Sequence, residues 1–193
     1  MARSDRLATL SSARAPLWRG LDYGPAVVVL SPSATRPREL PDAWRPLEQL
    51  YQVAWCAVPP QAGGAGSLDR LEDVLETLAD RATRTQVVAH TALTEVACQV
   101  VAEFPEIVRG LVLVGQGRVR ELTGVPTTVV PVLGDPVGPG VLARLDVVAD
   151  VAEALAVGER RIRTRPRLAG VLGLTGTLGL VASDTPGGVA VNG

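Results

Sequence analysis

Short runs of apolar residues alternate along the chain with segments in which apolar residues recur every three or four positions. The apolar runs have the length of strands, and we predict strands at 17–19, 26–30, 52–58, 86–90, 110–114 and 127–133. Continuous apolar runs are typical of strands that are covered on both faces, as in a parallel sheet. The segments between them predict amphipathic helices at about 42–51, 67–82, 92–104 and 141–156. This alternation predicts an α/β protein with a mostly parallel sheet and right-handed crossovers.

Each predicted helix has an apolar stripe that we expect to be buried. The stripes consist of Trp44, Leu47, Leu50 and Tyr51; of Leu68, Leu71, Val74, Leu75, Leu78 and Ala82; of Val96, Ala97, Val100, Val101 and Phe104; and of Leu142, Leu145, Val148, Ala149, Ala152 and Leu155. Ser67 is expected to cap the second helix. The two cysteines, Cys56 and Cys98, fall inside a predicted strand and a predicted helix, and we expect both to be small buried hydrophobic residues rather than a disulfide.

The periodic pattern weakens after residue 157. Arginines alternate with other residues between 159 and 167, which is typical of the solvent-facing side of an edge strand; a site for a phosphate or carboxylate group is the other interpretation. The following run, 168–183, carries no charge but is shorter than the roughly 20 residues that span a bilayer, and four glycines interrupt it. A membrane anchor is therefore not favoured, and the sequence leaves the structure of 157–193 open between a weak helix and short strands.

Composition restricts the possible functions. A chain of 193 residues with a net charge of −1 fits one globular domain, 1–193, and argues against a nucleic-acid partner. No metal-ligand spacing, phosphate-binding loop or dinucleotide fingerprint occurs, so we predict neither a metal nor a cofactor. The first twelve residues contain charges and no long apolar stretch, which predicts a cytoplasmic protein.

Four stretches, taken in order, resemble the α/β-hydrolase superfamily between about residues 24 and 156. They are an apolar strand at 24–30, a Pro- and Gly-rich loop at 59–66, a strand that runs into a sharp turn at 87–91, and the junction Phe104-Pro105-Glu106-Ile107-Val108-Arg109-Gly110-Leu111-Val112-Leu113-Val114. The resemblance implies an α/β-hydrolase-like fold with helices on both faces of the sheet. The lid of that family would be minimal or absent here, because only about 115–124 separates the last two strands.

The residues that carry chemistry in that family are changed in this chain. Thr91 stands at the nucleophile position, and Ala89 and Leu93 replace the glycines that flank a nucleophile in G-x-S-x-G. Asp135 follows the strand at 127–133, in the place of the family's acid. His90 is the only histidine, and because it is adjacent to Thr91 the two side chains should leave the strand end on opposite faces. We therefore predict that ordinary Ser/His/Asp hydrolysis is absent and that His90 is structural.

Ligands of parallel α/β sheets bind at the carboxyl ends of the strands. The candidate lining residues there are Ser31, Ser33, Trp55, Thr91, Ala92 and Gln116, with Thr91 and Asp135 as the candidates for a catalytic or anchoring role. Our main hypothesis is a protein that binds an apolar small molecule and promotes a non-hydrolytic step, such as cyclisation or isomerisation, in secondary metabolism. One alternative is a non-catalytic binding or subunit-interaction protein, with a possible homodimer through 168–193. The other is an esterase with displaced catalytic residues.

Overall fold

A computed structural model of the chain describes residues 15–35, 37–59, 65–116, 125–133 and 138–164. The strands are β1 (Leu17–Gly20), β2 (Ala26–Ser31), β3 (Gln52–Ala57), β4 (Thr85–His90), β5 (Val108–Val114) and β6 (Thr127–Val130). The α-helices are α1 (Arg45–Glu48), α2 (Ala65–Asp80), α3 (Thr94–Glu103) and α4 (Leu145–Thr164). Short 3₁₀ turns precede three of them, at Asp42–Trp44, Thr91–Leu93 and Pro139–Ala143.

The strands form one six-stranded sheet in the order β1-β3-β2-β4-β5-β6. Only the pairing of β1 with β3 is antiparallel; the other four pairings are parallel. The chain passes from β2 to β3 on one side and then returns to place β4 on the other side of β2. Such a reversal of winding opens a crevice between the loops that leave the carboxyl ends of the two neighbouring strands. In this sheet those strands are β2 and β4.

Two apolar layers cover the two faces of the sheet. One layer joins the strands to the 42–51 segment, the Pro139–Ala143 turn and α4, and the other joins them to α2 and α3. Alternate strand residues face the two layers: Val27 and Val29 belong to the first and Val28 and Leu30 to the second. All four side chains are fully buried, as expected of a strand covered on both faces. The predicted α/β fold class, a mostly parallel sheet flanked by helices on both faces, is confirmed.

A pair of tryptophans ties the first layer together. The ring of Trp44 meets that of Trp55 edge-on, with 5.4 Å between centroids and 84° between planes. The indole N–H of Trp44 donates to the carbonyl of Leu142 at 2.6 Å, which joins the start of the α1 segment to the turn before α4. Both rings are almost completely buried. The hydrogen bond satisfies the polar atom that would otherwise make burial of Trp44 costly.

Several predicted elements differ in their bounds from the observed ones. The predicted helix at 42–51 is a 3₁₀ turn followed by one helical turn, and Leu50 lies beyond it and is exposed. Helix α2 begins at Ala65, before the expected cap at Ser67, and ends at Asp80. Ala82 was expected in its apolar stripe but is exposed with a φ of +49°. The stripe stops one turn earlier because the chain must leave the helix to enter β4.

The last helix shows the largest differences. Leu145 and Ala149 were expected to be buried but are exposed, since the buried stripe of α4 runs through Val147, Val148 and Val151. The prediction of an edge strand beginning at 159 is wrong, because α4 continues to Thr164. Helical spacing was hidden there by arginines at every second position, which mimic the alternation of a strand.

Other predictions concern parts of the chain outside the described residues. Most of the 115–124 connection and all of 168–193 lie there, so the homodimer through 168–193 stays a prediction. Within the described ranges, no helix is both long enough and apolar enough to cross a bilayer. No disulfide joins the two cysteines; Cys56 is buried as expected, whereas Cys98 is partly exposed.

Candidate functional site

The turn that follows β4 is built around His90. This residue ends the strand, is 5% exposed and caps the 3₁₀ turn Thr91–Leu93. Its Nδ1 accepts a hydrogen bond from the backbone N–H of Ala92 at 3.1 Å. One turn later the hydroxyl of Thr94 donates to the carbonyl of Thr91 at 2.7 Å. Both ends of the 3₁₀ turn are thus closed by side chains, one of which is His90.

Thr91 begins this 3₁₀ turn without the positive φ of a strained residue. Among the described residues, Ala82 is the only non-glycine residue with a positive φ. In a nucleophile elbow the nucleophile occupies a sharp, strained strand-to-helix turn that lifts its side chain above the sheet. The turn in this chain therefore lacks the strain that characterises an elbow. Leu93, which stands in the place of the second glycine, is instead buried in the layer below the turn.

The side chain of Thr91 lies against the backbone of Gly115, directly after β5. Gly115 has a φ of +129°, and its N–H donates to the carbonyl of Val130 at 3.0 Å. A Cβ atom at this position would overlap the hydroxyl oxygen of Thr91. Thr91 is partly exposed, whereas Ala92 and the next residue after the glycine, Gln116, are exposed. The structure thus places Thr91 between β4 and β5, with Ala92 and Gln116 on the two flanking loops.

The two candidate serines lie at the end of β2. Ser31 pairs with Ala57 of β3, and its side chain is almost fully buried. Its carbonyl accepts from the N–H groups of Ser33 and Val58, at 2.8 and 2.9 Å. The hydroxyl of Ser33 donates to the carbonyl of Thr35 at 2.7 Å. The Ser33 hydroxyl is therefore occupied in a local turn, and the neighbouring amides already have partners.

Trp55 lies within the core beneath this end of the sheet. It stands opposite Val29, two residues before the end of β2, and is 2% exposed. Its indole N–H is the one buried side-chain polar atom in the described part of the chain that has no hydrogen-bond partner there. Buried donors normally have a partner, because leaving one unpaired costs about 1–3 kcal/mol. The last candidate, Asp135, lies outside the described residues.

The sequence did not predict a pocket at the opposite, amino-terminal edge of the sheet. This pocket has a volume of about 700 Å³. Its described lining consists of Tyr23, Gly24, Pro25, Gln52, Arg81, Ala82, Thr83, Arg84, Gln86, Arg109 and Glu159. A signal was present: arginines stand immediately before or just inside two successive apolar strands, so a parallel sheet brings them to one edge. No group of three His, Cys, Asp or Glu side chains suited to a metal occurs among the residues with described positions.

Comparisons with known proteins give matches at the level of structure only. No family model matches the chain, and no curated protein sequence does. A bacterial membrane phospholipase A described as a virulence factor is 16% identical, with a TM-score of 0.37, over 61% of this chain and 46% of its own. A putative lipase from Acinetobacter baumannii is 14% identical, with a TM-score of 0.38; the match covers 59% of this chain and 46% of the lipase. Cfl2 from Burkholderia cenocepacia is 23% identical, with a TM-score of 0.35; the match covers 76% of this chain and 51% of Cfl2.

This chain spans about half the length of the solved structures that it matches. Its fold class is carried by its own sheet, whose order and parallel pairings are given above. The protein has an α/β fold with a mostly parallel six-stranded sheet, in which Thr91 occupies the turn after the fourth strand.

Proposed function

We propose that this protein binds an apolar small molecule in the crevice at the carboxyl ends of β2 and β4 and promotes a non-hydrolytic step, such as cyclisation or isomerisation. The observation that carries the proposal is the hydrogen bond from the Ala92 N–H to Nδ1 of His90. It occupies the lone pair of the only histidine in the sequence at the place where a hydrolase would need a free base.

A threonine hydroxyl is a weak nucleophile unless a base within hydrogen-bond reach takes its proton. A neutral imidazole has one acceptor nitrogen, and in His90 that acceptor is Nδ1. The other ring nitrogen then carries the proton and cannot accept a second one. The absence of backbone strain at Thr91 adds to this, because the hydroxyl is not lifted out of the turn as an elbow nucleophile is. Both features favour contact with a ligand over attack on one.

Binding at this edge is favoured by the sheet topology. The winding reverses between β2 and β4, and open α/β sheets bind ligands at such a reversal. Thr91 is partly exposed there, and Trp55 contributes a buried donor without a partner among the described residues. Holding a flexible molecule in a reactive conformation accelerates intramolecular reactions without a nucleophile. A positioning role therefore needs only the groups that this edge supplies.

Hydrolysis of p-nitrophenyl acetate and butyrate tests the chemical half of the proposal. We expect the wild type, Thr91→Ala and the control Thr77→Ala to give the same rate, equal to that of the buffer with an unrelated protein. Thr77 is an exposed threonine on α2 and controls for the loss of a hydroxyl elsewhere. Turnover by the wild type that disappears in Thr91→Ala and persists in Thr77→Ala would contradict the proposal.

Extraction of the purified protein, followed by mass spectrometry, tests the binding half. We expect a co-purifying apolar molecule with the wild type and with Ala102→Trp, and a loss of at least fivefold with Ala92→Trp. Both alanines are exposed, but only Ala92 lies on the turn after β4, where an indole would fill the crevice. Equal amounts of the molecule in both variants, or no molecule from the wild type, would argue against this binding site.

A further inference from the structure

We propose that the pocket at the amino ends of the strands is a second binding site, which takes a small amphipathic anion with a carboxylate, phosphate or sulfonate group on an apolar body. The pocket and the Thr91 turn lie at opposite ends of β4. Six residues of strand separate the two ends by about 20 Å. The proposal is therefore independent of the function proposed for the carboxyl edge.

The pocket is assembled from segments that are distant in sequence. Gly24 and Pro25 lead into β2, and Gln52 begins β3. Arg81 to Arg84 connect α2 to β4, and Gln86 is the second residue of β4. Arg109 is the second residue of β5, and Glu159 belongs to the last turns of α4. The backbone of this wall is held in place from inside the protein. Ala26 donates to the carbonyl of Arg84 at 2.8 Å, and the side chain of Gln52 donates to the carbonyl of Gly24 at 2.7 Å.

The described lining carries an excess of positive charge. It contains three guanidinium groups, from Arg81, Arg84 and Arg109, and one carboxylate, from Glu159. Even when Glu159 is paired with one of the three, two positive charges remain in the lining. No ion pair joins any of these arginines to a carboxylate among the side chains that the structure describes. Arg109 donates to the carbonyl of Glu106 at 2.6 Å, which holds that side chain at the rim.

Guanidinium groups are well suited to oxyanions, because their planar fork donates two parallel hydrogen bonds to a carboxylate or phosphate. A pocket with few carboxylates of its own leaves those donors available to a ligand. The volume of about 700 Å³ is in the range of small-molecule sites, which lie between about 300 and 1,000 Å³.

The remaining lining favours an apolar body on the anion. Tyr23 is 82% exposed and presents its ring at the rim, next to Pro25 and Ala82. Ala82 adopts the left-handed conformation, with a φ of +49°, which is uncommon for a residue with a side chain. This conformation closes the carboxyl end of α2, where the N–H of Thr83 donates to the carbonyl of Leu78 at 2.9 Å, and it fixes the backbone of this part of the pocket wall. Gln86 is almost fully buried at the floor and adds a polar amide.

Two fluorescent probes separate the contribution of charge from that of apolar contact. The first, 1-anilinonaphthalene-8-sulfonate, is an oxyanion on an aromatic body, and N-phenyl-1-naphthylamine is the same body without the sulfonate. The double variant Arg84→Gln/Arg109→Gln removes two of the three guanidinium groups. We expect this variant to bind the sulfonate probe about tenfold or more weakly than the wild type does. Its affinity for the neutral probe should change less than twofold. The control Arg45→Gln, an exposed arginine on α1 outside the pocket, should leave both affinities unchanged.

Salt and competition measurements on the wild type need no variant. We expect a rise from 50 to 300 mM NaCl to lower the affinity for the sulfonate probe severalfold, whereas the affinity for the neutral probe should change little. Competition then identifies the head group: displacement by octyl phosphate or by decanoate shows which oxyanion the pocket prefers, and displacement by inorganic phosphate alone shows that the head suffices. The proposal is overturned if the double variant binds the sulfonate probe as tightly as the wild type does. It is also overturned if the double variant loses affinity for both probes to the same extent. If the double variant does not unfold cooperatively, it is not folded well enough to be compared, and the salt measurements on the wild type decide. In that case the proposal is overturned if salt lowers the affinity for both probes equally.

Discussion

Thr91, in the turn after β4, lies against Gly115 at the end of β5. The glycine is required there for two physical reasons: its φ of +129° is unfavourable for any residue with a Cβ, and a Cβ would overlap the hydroxyl of Thr91. The sequence shows only a glycine at the end of an apolar run. Because the partner lies 24 positions earlier, in another element, neither reason can be seen without the three-dimensional arrangement.

Replacing Gly115 by alanine should therefore lower the free energy of unfolding by about 2–3 kcal/mol, from backbone strain and overpacking together. Adding Thr91→Ala should restore about 1 kcal/mol of this loss, because the overlap is relieved while the strain remains. Chemical denaturation of the four proteins of this double-mutant cycle measures both terms.

Gly140→Ala is the matched control, since a Cβ there meets no atom within 4 Å. We expect that variant to stay within about 0.5 kcal/mol of the wild type. An additive cycle, with no recovery on removal of the Thr91 hydroxyl, would mean that the two residues do not press on each other.

At the scale of elements, the side chain of one glutamine, Gln86, lies between the sheet and α4. The side chain of Gln86 rises from β4 between Gly110 of β5 and Gly158 of α4, and its Nε2 donates to the carbonyl of Leu155 at 3.2 Å. A Cβ at Gly158 would lie 2.8 Å from Oε1 of this amide. The helix therefore uses a glycine, normally a poor helix former, where the glutamine needs room.

Gly158→Ala should lower the free energy of unfolding by about 1 kcal/mol, although alanine is the better helix former by a similar amount. The hydrogen bond from Nε2 of Gln86 to the carbonyl of Leu155 restrains the amide from moving away from the added methyl group. The double variant Gly158→Ala/Gln86→Ala should show a favourable coupling between the two changes in thermal or chemical denaturation.

The reverse change at an exposed position of the same helix, Ala156→Gly, measures how much glycine destabilises α4 relative to alanine when no side chain crowds the position. We expect it to cost about 1 kcal/mol. If Gly158→Ala stabilises the protein by as much as Ala156→Gly destabilises it, then Gln86 does not constrain α4.

For the molecule as a whole, stability depends on two apolar layers that exclude water from both faces of the sheet. Cys56 belongs to the layer under α2 and α3, where burial raises the pKa of its thiol from the ordinary value of 9.0 to about 12. Below pH 9 the thiol is protonated in the folded and in the unfolded chain. Between pH 9 and 12 only the unfolded chain ionises, so the folded state is progressively disfavoured.

We expect the free energy of unfolding to fall above pH 9 by up to about 1.4 kcal/mol per pH unit through this thiol. Urea denaturation at pH 7, 9 and 10.5 measures the slope. Cys56→Ala should remove this part of the pH dependence above pH 9, whatever the substitution does to the free energy of unfolding at pH 7. Cys98→Ala should show the same pH dependence as the wild type. Identical slopes in the wild type and in Cys56→Ala would show that the folded protein does not hold this thiol neutral.

The order and type of the central elements could be predicted from the sequence. Apolar runs such as 26–30 and 110–114 require cover on both faces, and this local property predicted the parallel sheet and its helical layers. The capping hydrogen bond of His90 could not be predicted, because the sequence shows only that His90 stands next to Thr91. Predictions were poorest where local pattern and tertiary context disagree, as at Leu145, which continues an apolar stripe but lies at the exposed start of α4.

The sequence by itself determined the fold class, because strand and helix periodicities are properties of consecutive residues. It also determined that a second histidine is absent. Only the tertiary structure decided that β3 and β4 lie on opposite sides of β2, that Gly115 meets Thr91, and that Arg84 and Arg109 share a pocket. These contacts depend on the lateral order of the strands. That order is chosen by burial across the whole sheet, so the sequence can show arginines at the starts of two strands but not that these strands become neighbours.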